Sequence, residues 1–71
     1  MFILEYINRN KGDEWEKTGE FETKEKMWSN IDTFFKEHNY TPPYFRQWND
    51  EDGRVFIDFG SHTLFYRYTE M

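Results

Sequence analysis

Residues 21–38 read FETKEKMWSNIDTFFKEH, and the spacing within this stretch decides the fold. Its large apolar side chains are Met27, Trp28, Ile31, Phe34 and Phe35, which form a single stripe on a helix of about 3.6 residues per turn. Lys24, Glu25, Asn30, Asp32, Thr33 and Glu37 fall on the opposite, solvated face. Thr23 carries an oxygen suited to cap the first turn, where Glu25 complements the positive end of the helix dipole. Asn39 tolerates the left-handed conformation that ends a helix, and Pro42-Pro43 cannot continue one. The pattern predicts one helix over 24–38. A helix with one apolar stripe must bury it against a partner.

The flanking segments supply that partner. FILEYI (2–7) is strand-like, NRNKG (8–12) is a turn by composition, and 14–22 alternates with period two. In that alternation Trp15, Lys17, Gly19 and Phe21 share one side, and Glu14, Glu16, Thr18, Glu20 and Glu22 share the other. The two runs predict a hairpin. Beyond the helix, YFRQW (44–48) leads through the turn-rich NDEDG (49–53) into RVFIDF (54–59). Gly60-Ser61 fits a two-residue type II′ turn into HTLFYRY (62–68). That turn sets Phe59 opposite His62, Ile57 opposite Leu64 and Val55 opposite Tyr66. The other face then pairs Asp58 with Thr63, Phe56 with Phe65 and Arg54 with Arg67. The expected class is α+β: a single antiparallel sheet of about five strands with one helix on one face, in the order ββαβββ. All 71 residues belong to one domain.

The more aliphatic face, with Val55, Ile57, Phe59, Leu64 and Tyr66, is expected beneath the helix together with Phe45 and Gln47. The uncovered face then carries Tyr44, Arg46, Trp48, Arg54, Phe56, Asp58, Phe65 and Arg67. Such a surface suits three uses: cross-strand packing under arginine stems, a protein-binding hot spot, or a platform on which bases stack. Aromatic content sharpens the question. Phe, Trp and Tyr make up 23% of the chain, more than so small an interior holds, so several rings are expected at the surface.

A second surface is acidic. Glu14, Glu16, Glu20 and Glu22 along one straight strand would repeat about every 6.6–6.8 Å, a spacing comparable with that of backbone phosphates. Asp50, Glu51 and Asp52 form another acidic cluster at a hairpin tip. The whole chain has 14 Asp and Glu against 9 Lys and Arg, a net charge of −5. That balance disfavours direct capture of nucleic acid, which needs excess positive charge to release counterions.

Other chemistries find little footing. There is no cysteine, hence no disulfide, thiolate nucleophile or Cys-based zinc site. NDEDG has the acid density of a calcium loop but lacks the closing glutamate of that pattern. His38 suits a helix C-terminus and His62 a hairpin start, with no serine or cysteine arranged beside either for catalysis. The expectation is a protein without catalytic residues, metal or cofactor. Apolar runs reach only three or four residues, so no membrane span or secretory leader is expected and a cytoplasmic location follows.

A very short, cysteine-free, acidic and aromatic-rich chain with segments such as FETKEKMWSNIDTFFKEH (21–38) and RVFIDFGSHTLFYRY (54–68) resembles the early host-takeover proteins of phages that infect Gram-positive bacteria. Acidic inhibitors of the nucleoid protein HU are among them. The resemblance implies a noncatalytic inhibitor that covers the DNA-binding site of a basic host protein and competes with DNA in the host cytoplasm. No site residue is carried over from it. The face argument alone nominates Glu14, Glu16, Glu20, Glu22, Asp50, Glu51 and Asp52 for the partner, with Tyr44, Arg46, Trp48, Phe56 and Phe65 as the aromatic alternative. Two other classes remain open on the residues: a single-stranded nucleic-acid module using the aromatic face, and an inhibitor of another host enzyme or defence system. A free sheet face also makes a homodimer possible.

Overall fold

The helical stripe meets its partner in the computed structural model, which describes residues 1–71. Strand β1 is Phe2–Asn8 and β2 is Glu16–Phe21; helix α1 is Lys24–Glu37; β3 is Arg46–Asn49, β4 is Val55–Asp58 and β5 is Leu64–Glu70. All neighbouring strands are antiparallel, in the spatial order β2-β1-β5-β4-β3. The two long strands β1 and β5 therefore form the middle, and β2 and β3 are the edges. No helix is long and apolar enough to cross a membrane.

Helix α1 begins where the sequence puts it. Thr23 Oγ1 accepts a hydrogen bond from the Lys26 amide at 3.2 Å, which satisfies one of the first-turn donors that have no partner within the helix. At the far end Asn39 sits at φ 51°, and His38 Nδ1 lies 2.8 Å from the Phe34 carbonyl oxygen. Met27, Ile31 and Phe35 are buried, with Trp28 and Phe34 packed at the margins of the stripe. Beneath them lie Phe2 and Leu4 from β1, Ile57 from β4, Phe59, and Tyr66 and Tyr68 from β5. The core is held by aromatic contacts as much as by aliphatic ones: Phe35 meets Phe59 at 5.0 Å between ring centroids, and Tyr6 meets Tyr66 at 5.3 Å.

Two expectations about register are corrected. The two-residue turn at Gly60-Ser61 does not form, because Ile57 pairs with Tyr66 and Val55 with Tyr68. The loop is longer because local side chains satisfy its backbone. Asp58 Oδ1 accepts from the Gly60 amide at 3.0 Å, and Ser61 Oγ accepts from the Thr63 and Leu64 amides at 3.3 and 3.1 Å. The slip is by two residues, which returns every side chain to the same face. The assignment of covered and uncovered faces therefore stands.

The second correction changes faces. Leu4 pairs with Gly19, but Glu5 pairs with Lys17, so Thr18 is the extra residue of a β-bulge. An extra residue reverses the alternation on its own strand. Gly19 and Phe21 lie on the helix side with Leu4 and Phe2, and Glu16 lies there too, opposite Tyr6. Lys17 and Glu20 lie on the other side. A bare Cα at position 19 makes room for the Phe21 ring, whose nearest atom is 3.1 Å from where a Cβ would stand.

Candidate functional site

The acidic row does not survive the bulge. Glu16 faces Tyr6, whose hydroxyl is held above its ordinary pKa by burial and then by the Glu16 charge. Glu20 is on the opposite side of the sheet and pairs with Lys17 at 3.3 Å; Glu22, past the end of β2, pairs with Lys26 at 3.5 Å. Glu14 lies in the loop before β2. These side chains point in different directions, and two are neutralised locally, so the sequence expectation of a phosphate-like comb is incorrect for this strand. Asp50, Glu51 and Asp52 are at the tip between β3 and β4, on the other edge of the sheet, about 19 Å away at four strand spacings. The seven acidic residues are not one surface. Within the tip, Asp50 Oδ1 accepts from the Asp52 and Arg54 amides at 2.9 Å each, and Asp52 pairs with Arg54 at 3.7 Å. Glu51 projects into solvent.

The uncovered face is more structured than the sequence suggested. Trp15, from the loop between β1 and β2, reaches back over it. Its ring meets the edge of Phe56 at 5.6 Å and lies under the Arg67 guanidinium at 4.1 Å. Arg67 is fixed in turn by two hydrogen bonds to Glu5, from Nε at 2.8 Å and from Nη2 at 3.2 Å. Ile7 points to this side, opposite Phe65, and is only 2% exposed. Arg9 stands over the Phe65 ring at 5.5 Å. Phe65 is therefore partly covered by Arg9, and it lies on β5, two strands in from the β3 edge.

What remains open is the β3 edge. Trp48 stacks on Phe56 at 5.8 Å with ring planes 5° apart. Arg46 stands over Tyr44 at 5.1 Å and donates from Nη2 to Asp58 at 2.8 Å. Phe45 turns to the helix side, against Trp28 at 5.8 Å and Phe35 at 5.9 Å. Tyr44, Phe45 and Trp48 are 46%, 47% and 46% exposed, and apart from the terminal methionines they are the only large hydrophobic residues so exposed. Three half-exposed rings, two just before and one within a four-residue edge strand, make a compact patch around Arg46. Of the nominated aromatic set, Tyr44, Arg46, Trp48 and Phe56 belong together. Trp15, Phe45, Arg67 and Glu5 were not nominated and belong with them.

Asp58 anchors this arrangement. Burial alone would raise its carboxyl pKa, but the Gly60 amide, the Arg46 hydrogen bond and charge, and the charge of His62 outweigh burial and hold it below the usual carboxylate range. A carboxylate depressed in the folded state stabilises the fold above its unfolded pKa, and that contribution is lost as pH falls through the folded value. Urea unfolding followed from about pH 5 down to about pH 2 should show this acid-dependent loss, and Asp58→Asn should flatten it. A parent profile as flat as that of the variant would mean that the Gly60 amide and Arg46 do not hold the Asp58 carboxylate in solution.

Fold and surface together define an α+β domain with one guarded and one aromatic sheet edge. The chain matches no protein-family model, curated protein or solved structure.

Proposed function

We propose that this domain is a noncatalytic inhibitor that binds the DNA-binding site of a basic host protein, with the β3 edge as its contact surface. The observation that carries the reading is the confinement of exposed aromatic residues to positions 44–48, around Arg46. Aromatic and arginine side chains dominate interface hot spots, because they bury much area at little entropic cost. The tip acids Asp50, Glu51 and Asp52 adjoin this patch directly in the chain. Five ion pairs neutralise five of the fourteen acidic side chains, and the remaining excess gives the molecule a field that steers positively charged partners. Competition with DNA follows from occupying the partner's basic surface; a strand of evenly spaced carboxylates is not required. The host cytoplasm is the compartment this reading implies.

The test is displacement of labelled duplex DNA from an HU-type nucleoid protein. The parent domain should displace the duplex, more weakly as salt rises. Trp48→Ala should weaken binding about 30-fold, the loss expected of a central hot spot. The combined change of Glu16, Glu20 and Glu22 to Gln should slow association and leave dissociation nearly unchanged. Failure to displace DNA, or a Trp48→Ala variant that competes as well as the parent, would overturn the reading. Quenching of tryptophan fluorescence by a single-stranded oligonucleotide would instead favour the base-stacking use of the same rings.

A further inference from the structure

The geometry of β3 points to a two-fold homodimer in which two five-stranded sheets join edge to edge. The inference does not depend on the proposed inhibitory function, and because the seam uses the same β3 edge, dimer and host partner compete for it. The two edges differ. The outer strand β2 carries the bulge at Thr18 and a Lys17–Glu20 pair, devices that blunt pairing with another chain. Strand β3 has no bulge, and all four of its residues are exposed.

The backbone fixes the register of such a pairing. The Asp50 amide donates to the Arg54 carbonyl across the turn at 2.9 Å. Hydrogen-bonded and non-hydrogen-bonded pairs alternate along an antiparallel ladder, so Trp48 and Arg46 direct their backbone groups at Phe56 and Asp58 of β4. The N–H and C=O groups of Gln47 and Asn49, and of Phe45 where the chain stays extended, therefore point outward.

A two-fold axis normal to the sheet at Gln47 sets Gln47 against its own counterpart, with Phe45 against Asn49 of the second copy on either side. The Gln47 pair gives two backbone hydrogen bonds, and extension of the strand through Phe45 in the dimer adds about four more. Between them Arg46 stands opposite Trp48 of the second copy as a non-hydrogen-bonded pair, the arrangement in which cross-strand side chains approach closest, with Cα atoms about 4.5 Å apart. The edge is complementary to itself: each copy offers one cation and one exposed indole, and both are matched. Arg46 is already oriented by Asp58, yet its side chain is 67% exposed, which leaves a guanidinium face free for the indole. Asp50 falls opposite Tyr44 of the second copy, so the acidic tips lie at opposite ends of the seam. The helices share one side of the joined sheet, and the Trp48–Phe56 stacks of both copies lie along the other.

Sedimentation equilibrium on the isolated protein tests this. Dimer should accumulate with concentration up to roughly 1 mM, in the range of small transient interfaces. It should be favoured by added salt, because two copies of charge −5 repel. Salt should therefore act in the opposite sense here to its effect on a basic partner. Gln47→Pro removes an outward N–H and leaves the β4 ladder intact, so it should abolish the dimer while thermal unfolding remains cooperative. Trp48→Ala should weaken the dimer about tenfold. Amide exchange gives a readout that needs no variant: the Gln47 and Asn49 amides should become protected as concentration rises. A chain that stays monomeric at high concentration and high salt, or exchange at Gln47 that ignores concentration, would overturn the proposal.

Discussion

Replacing Gly60 with alanine is expected to destabilise the domain by about 2–4 kcal/mol, and to lower the thermal midpoint by roughly 4–8 °C for each kcal/mol. Two costs combine at this position. Gly60 sits at φ 91°, in the left-handed region that an L side chain enters only under strain. A Cβ there would also stand 2.5 Å from Pro43 Cγ and 2.7 Å from Pro43 Cδ. Both are atoms of a ring tied to the backbone, so no rotamer change relieves the overlap. Pro43 directly precedes Tyr44, and its contact with the Gly60 loop seats the segment that becomes β3. Tyr40 supports the same corner by donating its hydroxyl to the Phe59 carbonyl at 3.1 Å. Gly53→Ala is the control: φ is 79° there, but nothing lies within 4 Å of the added atom, so only the backbone cost of about 1 kcal/mol applies. Urea unfolding of the two variants separates the terms. Equal losses would mean that the Pro43 contact contributes nothing.

The elements that the sequence predicted well are those whose causes are local. The helix is determined by residues three and four apart and by caps at Thr23 and Asn39, all within one continuous segment. Face assignment in β4 and β5 also survived a wrong turn, because the error was an even number of residues and parity was kept. The acidic strand failed for the complementary reason. A single inserted residue at Thr18 turned Glu16 and Glu20 to opposite sides, and alternation read from 14–22 had no means of showing it. Gly19 was the available sign, since glycine inside a strand pattern marks a bulge or a close backbone approach. The Glu5–Arg67 pair lies 62 residues apart in the chain, and the partnership becomes visible only once β1 and β5 are known to be neighbours. Trp15 was misplaced for the same kind of reason: treated as a strand residue, it belonged to a face, whereas in the loop it is free to fold over β4 and β5.

That position makes Trp15 the residue whose loss separates the stability of the uncovered face from its availability for binding. Trp15→Ala is expected to cost about 3 kcal/mol, although the residue lies outside the main core. The ring stands between the Phe56 edge and the Arg67 guanidinium, and removing it withdraws a cation–π contact worth about 1–2 kcal/mol when shielded from water. Trp48→Ala, which removes the stack on the same Phe56 ring, should cost less, about 1–2 kcal/mol, because nearly half of that residue is already in water. The two tryptophans therefore carry opposite assignments: Trp15 supports the fold and Trp48 is available for contact. Denaturant midpoints for the two variants, read beside their dimerisation and DNA-displacement behaviour, test the pair together. Trp15→Phe should recover part of the loss, since a smaller ring still lies under Arg67. If Trp15→Ala proved no more costly than Trp48→Ala, the β1–β2 loop would not be a cover for the sheet. The whole uncovered face, from Glu5 to Trp48, would then be open to a partner.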